Sequence, residues 1–454
     1  MQMTTRHAAA PLRALALIGA ALILVPQAGA YPLDGFRETG ISRLEAYRLA
    51  QDGLLKSRSL YEGSLLPTKD VRLRLLDQPD FELPAPDPAF TAELRRLLDS
   101  DASRYGIAVL DLTDPKAARY GEIGGNKIQN PGSVGKVIVA LAWMQALADV
   151  YPDDVEARKR LLRDAQITAT DFIIKDDHVV PFWAPGDPRL VKRPIELGDT
   201  ASVWTYLDWM CSSSSNAAAS MLMAHVMLLK EYGTAYPPPF EEQERFFRET
   251  SNRKKSSLFL DAIRTPLTRN GLDLEKLRQG SFFTRTGKQK VSGTNSISTP
   301  RELLRFALLM EQGKLVDAWS SLEIKRLLYL TDRRIRYSSS PALSDAAVYF
   351  KSGSLYSCMP EEGFVCEKYH GNRKNFMNSL TVVETTDKQQ PLHYISVVLS
   401  NVLRKNSAVE HQTLATRIHR LIQSIYDQSM SSTLRTLSAD PELRDKAKEL
   451  LGQE

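Results

Sequence analysis

From Val137 to Leu147 the chain reads VIVALAWMQAL, with Gln145 as its one polar interruption. A run that is apolar on every side predicts a helix buried all round, not one lying on a surface. Upstream, YGIAVLDLTD (105–114) and AARYGEIGG (117–125) are strand-like runs around an Asp114-Pro115 turn and predict a hairpin, preceded by a short helix over FTAELRRLLDSDAS (90–103). From Ser133 to about Leu330 the pattern is mostly helical. Val203, Leu207 and Met210 recur at helical spacing behind Thr200, the expected N-cap. That helix stops at CSSSSN (211–216), and the apolar run AAASMLMAHVMLL (217–229) begins at once. Thr299-Pro300 opens a helix over RELLRFALLMEQGKL, with a stop at Gly313. The last third turns back to strands in DAAVYFKSGSLY (345–356), FMNSLTVVETT (376–386) and HYISVVLSNV (393–402), closed by the amphipathic HQTLATRIHRLIQSIYD (411–427). Strands at both ends with helices between predict one sheet completed by sequence-distant segments, an α+β arrangement.

The N-terminus follows another pattern. Arg6 and Arg13 precede twelve unbroken apolar residues, Ala14–Val25, and then a small-residue site, Ala28-Gly29-Ala30. This reads as a cleaved export signal over 1–30, too short to span a bilayer, and predicts a periplasmic or secreted protein without stable membrane insertion. Residues 31–88, ending in the Pro-rich LPAPDPAF, read as a helical extension and linker, and residues 431–454 as a helical tail.

Composition is that of a globular protein, 43% hydrophobic and 25% charged over 454 residues. Without Arg6 and Arg13 the mature chain has 57 basic against 54 acidic residues, a net of +3. So balanced a chain has no basic stripe for phosphates, which argues against nucleic acid as a partner. Seven scattered His, with no HxH, HExxH or CxxC, argue against a metal centre, and no cofactor is expected. Of three Cys, Cys358 and Cys366 can close a short loop in an exported protein, leaving Cys211 over.

Three short elements carry candidate chemistry. In NPGSVGKVIVAL (130–141), Asn130 stands where a Walker loop needs Gly and Val137 where it needs a hydroxyl, so a phosphate cradle is excluded. Ser133 and Lys136, three apart, share one helix face, and a desolvated amine there can take the hydroxyl proton. The same spacing at Ser251 and Lys254 lies in a wholly polar stretch and is discounted. Ser214 and Asn216 sit between two apolar helices, where a hydroxyl can pass a proton and an amide can hold both lysine and substrate. Ser212 and Ser213 read as helix-break and capping residues. Lys351-Ser352-Gly353-Ser354 follows the strand-like AAVYF. Alternation puts Lys351 and Gly353 on one face and Ser352 on the other. Gly353 permits close backbone approach, and the N–H groups of Ser354 and Ser133 can form an oxyanion hole. The rival Arg285-Thr286-Gly287 reads as a solvated loop.

Together, in this order, the elements resemble the active-site set of the penicillin-binding proteins and serine β-lactamases, S-x-x-K, S-D-N and K-T-G. The layout over about residues 90–430 is most similar to the class A β-lactamase catalytic domain, here bounded at 89–430. The resemblance implies an antiparallel sheet flanked by helices with an all-helical subdomain, and an acyl-serine on β-lactam or D-alanyl-type peptidoglycan substrates. It implies Ser133 as nucleophile, Lys136 as base, Ser214 as proton shuttle and Asn216 as substrate-amide ligand. Lys351 with Ser352, Gly353 and Ser354 would hold the substrate carboxylate. Ser215 replaces the middle Asp, and Ser352 replaces Thr. More seriously, Lys276–Arg301, where class A enzymes carry the Glu that activates the deacylating water, has no acid and six Lys or Arg. Glu275 reads as a solvated helix residue. That departure favours a penicillin-binding D,D-peptidase with slow deacylation over a β-lactamase. A non-catalytic peptidoglycan-binding module is the third alternative.

Overall fold

Two ends of the chain meet in a single five-stranded antiparallel sheet. Its strands are β1 (Tyr105–Asp111), β2 (Arg119–Ile123), β3 (Ala346–Ser357), β4 (Lys374–Thr385) and β5 (His393–Asn401), in the spatial order β2-β1-β5-β4-β3. The computed structural model describes residues 33–56, 60–98, 102–329, 334–386 and 390–439. The export signal expected over 1–30 and the end of the tail, 440–454, lie outside the described residues. The helices that bear on the site and its cores, in chain order, are α1 (Ser42–Gln51), α2 (Pro88–Arg96), α3 (Lys136–Val150), α4 (Val203–Ser212), α5 (Asn216–Tyr232), α6 (Asn252–Arg269), α7 (Pro300–Glu311), α8 (Ala318–Tyr329) and α9 (Ser407–Ala439).

The predicted hairpin is β1 with β2, and β1 then pairs with β5, Val109 facing Ser396 across the ladder. Every residue of β1 is buried, because helices cover both faces of the sheet. Ile107 and Val109 enter one core with Phe90 and Leu94 of α2 and Leu414, Ile418 and Ile422 of α9. Ala108 and Leu110 enter the other, with α3 and Leu303 and Leu304 of α7. Each such side chain contributes roughly 1.5–3 kcal/mol on burial.

Helix α3 is the axis of the helical subdomain. It is buried from Lys136 to Leu147 apart from Gln145, as its sequence predicts. Trp143 Nε1 donates to the Leu222 carbonyl of α5 at 3.0 Å, locking the two apolar helices together. The N-terminal segment is built into the same core: Leu33, Ile41, Leu44, Val71 and Leu75 belong to it. Arg43 of α1 forms a fully buried ion pair with Asp208 of α4.

Three local expectations are corrected. Residues 166–202 interrupt the helical middle with short strands and single turns. Thr200 lies in one of these strands, its hydroxyl 3.0 Å from that of Thr168, and Ser202 caps α4 instead by accepting from Thr205 N at 3.2 Å. Ser212 ends α4 and Ser213 is its C-cap, so the helix break stands where the sequence puts it, although among the described residues neither hydroxyl finds a partner. Ser215 caps α5, accepting from Ala218 N at 3.1 Å. Finally, Arg285–Lys290 is a short helix, not a loop.

Candidate active site

Ser133 stands in a single 3-10 turn, Gly132–Gly135, that runs directly into α3. Gly132 takes φ +53°, a conformation open chiefly to glycine. The turn is pinned from two sides: Asn130 Oδ1 accepts from Gly132 N at 2.9 Å, and the Asn130 carbonyl accepts from Asn378 Nδ2 of β4 at 2.9 Å.

One turn later, Lys136 is wholly buried. Its Nζ lies 3.0 Å from Ser133 Oγ, 2.6 Å from the Ser214 carbonyl oxygen and 2.8 Å from Asn216 Oδ1. Burial holds its pKa well below the usual lysine value; Lys351 and Arg336 add to this by repulsion, and Asp176 opposes it. A neutral amine has two N–H donors and one lone pair. The two fixed carbonyl-type acceptors can take the donors, which leaves the lone pair for the Ser133 hydroxyl.

Ser214 joins α4 to α5 in a left-handed conformation, φ +61°, a strain of about 1–3 kcal/mol in a non-glycine residue. That turn aims its carbonyl at Lys136 and its hydroxyl at Lys351, whose Nζ lies 2.9 Å away. Lys351 is buried on β3, and burial lowers its pKa to about 7, with Arg336 adding and the Cys211 thiol opposing.

β3 is an edge strand, and its free side lies directly on the Ser133 turn. A Cβ at Gly353 would fall 2.5 Å from Ser133 N, and one at Gly132 would fall 3.3 Å from Ser354 N. The two backbone N–H groups expected to form an oxyanion hole thus belong to adjoining backbone. Ser352 and Ser354 share the other face of the strand, where Arg336 Nη1 donates to Ser352 Oγ at 2.7 Å and Nη2 to Ser354 Oγ at 3.2 Å. The structure therefore brings Ser133, Lys136, Ser214, Asn216 and Lys351 into one crevice, with Ser352, Gly353 and Ser354 along its edge. Ser251 Oγ, by contrast, accepts from Lys254 N in an exposed cap of α6.

Three neighbours escaped the sequence reading. Arg336 comes from a 3-10 turn before β3 at φ +56°, and its guanidinium is held over the Tyr369 ring at 4.7 Å and by the Tyr369 hydroxyl at 2.8 Å. Nothing local in SSSP or its surroundings marks it. Asp176 lies in the charged stretch KDDH, which reads as a plain loop. Phe283 comes from the acid-free segment before α7, its ring centre 4.8 Å from Lys136 Nζ. Glu275 is solvated, its side chain 84% exposed beside Arg278.

Cys358 and Cys366 form a disulfide, and Cys211 is free and buried. Glu311, Glu384 and His393 cluster closely enough to hold an ion, but the Lys325 ammonium is already inserted between the two carboxylates.

No characterised protein matches the chain by sequence. Among solved structures it is similar to PBP-A (13% identical, TM-score 0.45, over 76% of this chain and 100% of that one). It is similar also to a β-lactamase of Chitinophaga pinensis (18%, TM-score 0.44, 74% and 98%) and to one of Sphaerobacter thermophilus (12%, TM-score 0.45, 72% and 94%). The profile of the Beta-lactamase enzyme family matches residues 89–391, which contain Ser133, Lys136, Ser214 and Lys351. By that match the protein belongs to the Beta-lactamase enzyme family.

Proposed function

We propose that the protein is an exported serine hydrolase that works through an acyl-serine on β-lactam or D-alanyl-type amides and releases the acyl group slowly. The observation that carries the reading is the threefold environment of Lys136 Nζ, with two acceptors and one hydroxyl within 3.0 Å. Lys136 takes the Ser133 proton as Oγ attacks the substrate carbonyl. The N–H groups of Ser133 and Ser354 receive the developing oxyanion. Ser214, between the two lysines, passes the proton to the departing nitrogen, and Asn216 binds the substrate amide. A substrate carboxylate fits beside Lys351, Ser352, Ser354 and Arg336, whose planar fork suits a bidentate anion.

Slow release is supported by what stands beside Lys136. The Phe283 ring lies against Lys136 Nζ, its centre 4.8 Å away, and a ring cannot deprotonate water. This favours penicillin-binding, D,D-peptidase-like behaviour over β-lactam destruction. Export is supported by the Cys358–Cys366 disulfide, a bond that persists in oxidising compartments.

A chromogenic cephalosporin tests the reading. It predicts a colour burst stoichiometric with enzyme, followed by a slow steady rate. Fast sustained turnover would make it a β-lactamase, and no burst at all a non-catalytic binder.

A further inference from the structure

Between α4 and α5 the S-x-N loop carries Ser215, where the resembled motif has an acid, and a carboxylate reaches this loop from elsewhere. Asp176 lies 39 residues upstream of Ser215, and its side chain is only 3% exposed. Its Oδ2 accepts from Ser215 Oγ at 3.0 Å and from the Ala217 N–H at 2.8 Å. Its Oδ1 accepts from the His178 N–H at 3.3 Å and lies 2.5 Å from His178 Nδ1. The grip therefore closes on both sides of Asn216, the residue that presents Oδ1 to Lys136. It also sets a negative charge at the start of α5, where the helix dipole favours one.

We propose that Asp176 is a positioning residue for the reaction. It fixes the strained Ser214–Asn216 loop from a separate segment and is the carboxylate that Lys136 has near it to set against Lys351 and Arg336. The proposal rests on the acyl-serine reading of the same site.

The charged groups around Asp176 are His178 of its own segment, with Asp177 3.9 Å beyond the ring, and Lys136 of α3. Those around Lys136 are Asp176, Lys351 and Arg336, with the Cys211 thiol nearby. Burial pushes the Asp176 carboxyl up, but the His178 and Ala217 hydrogen bonds and the Lys136 charge outweigh it and hold the pKa at about 2. Asp176 is thus anionic throughout the working range. Its removal takes away the larger of the two neighbours that oppose the Lys351 charge at Lys136, which lowers the amine further.

The test compares wild type, Asp176→Asn and the exchange variant Asp176→Ser/Ser215→Asp, which returns the carboxylate to the helix start by the side chain that already caps it. Acylation by penicillin G is followed by intact mass across about pH 5 to 9, the range in which a tuned lysine base acts. In parallel, Lys136 is titrated by NMR with isotope-labelled lysine. Asp176→Asn is expected to slow acylation about tenfold to a hundredfold, to move its acid limb to lower pH and to lower the Lys136 titration. The exchange restores all three. Unchanged rate, limb and titration in Asp176→Asn would overturn the proposal, as would a folded exchange variant without recovery. If wild type is not acylated, the functional reading falls, and the Lys136 titration alone decides the role of Asp176. If Asp176→Asn does not fold, recovery in the exchange variant upholds the proposal and its failure to fold overturns it.

Discussion

Lys351, on the edge strand of the sheet, places its Nζ 2.9 Å from the hydroxyl of Ser214, 137 residues earlier between two helices. This contact ties the sheet to the helical subdomain across the crevice. It also joins the two lysines through one hydroxyl, since Ser214 Oγ lies 3.4 Å from Lys136 Nζ as well.

Lys351 makes the site pH-dependent. With its pKa lowered to about 7, the folded protein binds fewer protons than the unfolded chain between about 7 and the ordinary lysine value. Stability therefore rises with pH across that window, and the cost of the buried charge is fully present below 7. Binding of a carboxylate runs the opposite way and weakens as pH rises through 7. Lys351→Met should stabilise the fold at pH 6 by on the order of 1–2 kcal/mol while impairing carboxylate-bearing substrates. Thermal unfolding and acylation measured over the same pH series check both signs; a Lys351→Met variant less stable than wild type at pH 6 contradicts the assignment.

Lys136→Arg puts a permanent cation at the centre, one that cannot lose a proton. Acylation should fall by about a hundredfold to ten-thousandfold, the size of a general-base contribution. Pre-steady-state acylation rates measure it, and a loss of less than about tenfold would show that another group takes the Ser133 proton.

Gly353→Ala tests the close approach of β3 to the Ser133 turn. The new methyl would meet Ser133 N at 2.5 Å and the Pro131 carbonyl, both of them backbone. The strand and turn must part, at a cost of roughly 1–3 kcal/mol, and acylation should drop by about a hundredfold as the two N–H groups separate. A crystal structure of the variant with an unmoved turn would refute this.

Phe283→Glu sets a carboxylate where the ring now faces Lys136 Nζ. The expected result is a shorter acyl-enzyme lifetime, by about a hundredfold, with the acid limb of acylation moved to higher pH as the new carboxylate raises Lys136. Mass spectra taken after removal of free penicillin give the lifetime, and an unaltered decay would mean that the ring is not what slows release.

Much of this arrangement is legible in the sequence because its parts are local. The apolar character of Val137–Leu147, the Ser133–Lys136 spacing and the Gly353 that opens a strand to close contact each depend on a few neighbouring residues. What is hidden comes from tertiary pairing. Arg336 and Asp176 belong to no pattern in their own segments and acquire meaning only where Ser352 and Ser215 meet them. Thr200 and Ser202 are equally good caps by type, and the cap falls to Ser202 because it ends the short strand Thr200–Ser202 and directly precedes Val203, whereas Thr200 stands at the strand's start. The 166–202 excursion hides within the helical middle because its three-residue strands pair only with one another, Gln166–Thr168 with Thr200–Ser202 and Val180–Phe182 with Val191–Arg193, which leaves no period in the sequence.

The most direct test is the mass of the intact protein after addition of penicillin G, followed over time, with the adduct located by peptide mapping. The account predicts an increase of one whole penicillin molecule on the peptide containing Ser133, persisting long after acylation is complete and absent from Ser133→Ala. An adduct elsewhere, or an equal one on the Ser133→Ala protein, would contradict it.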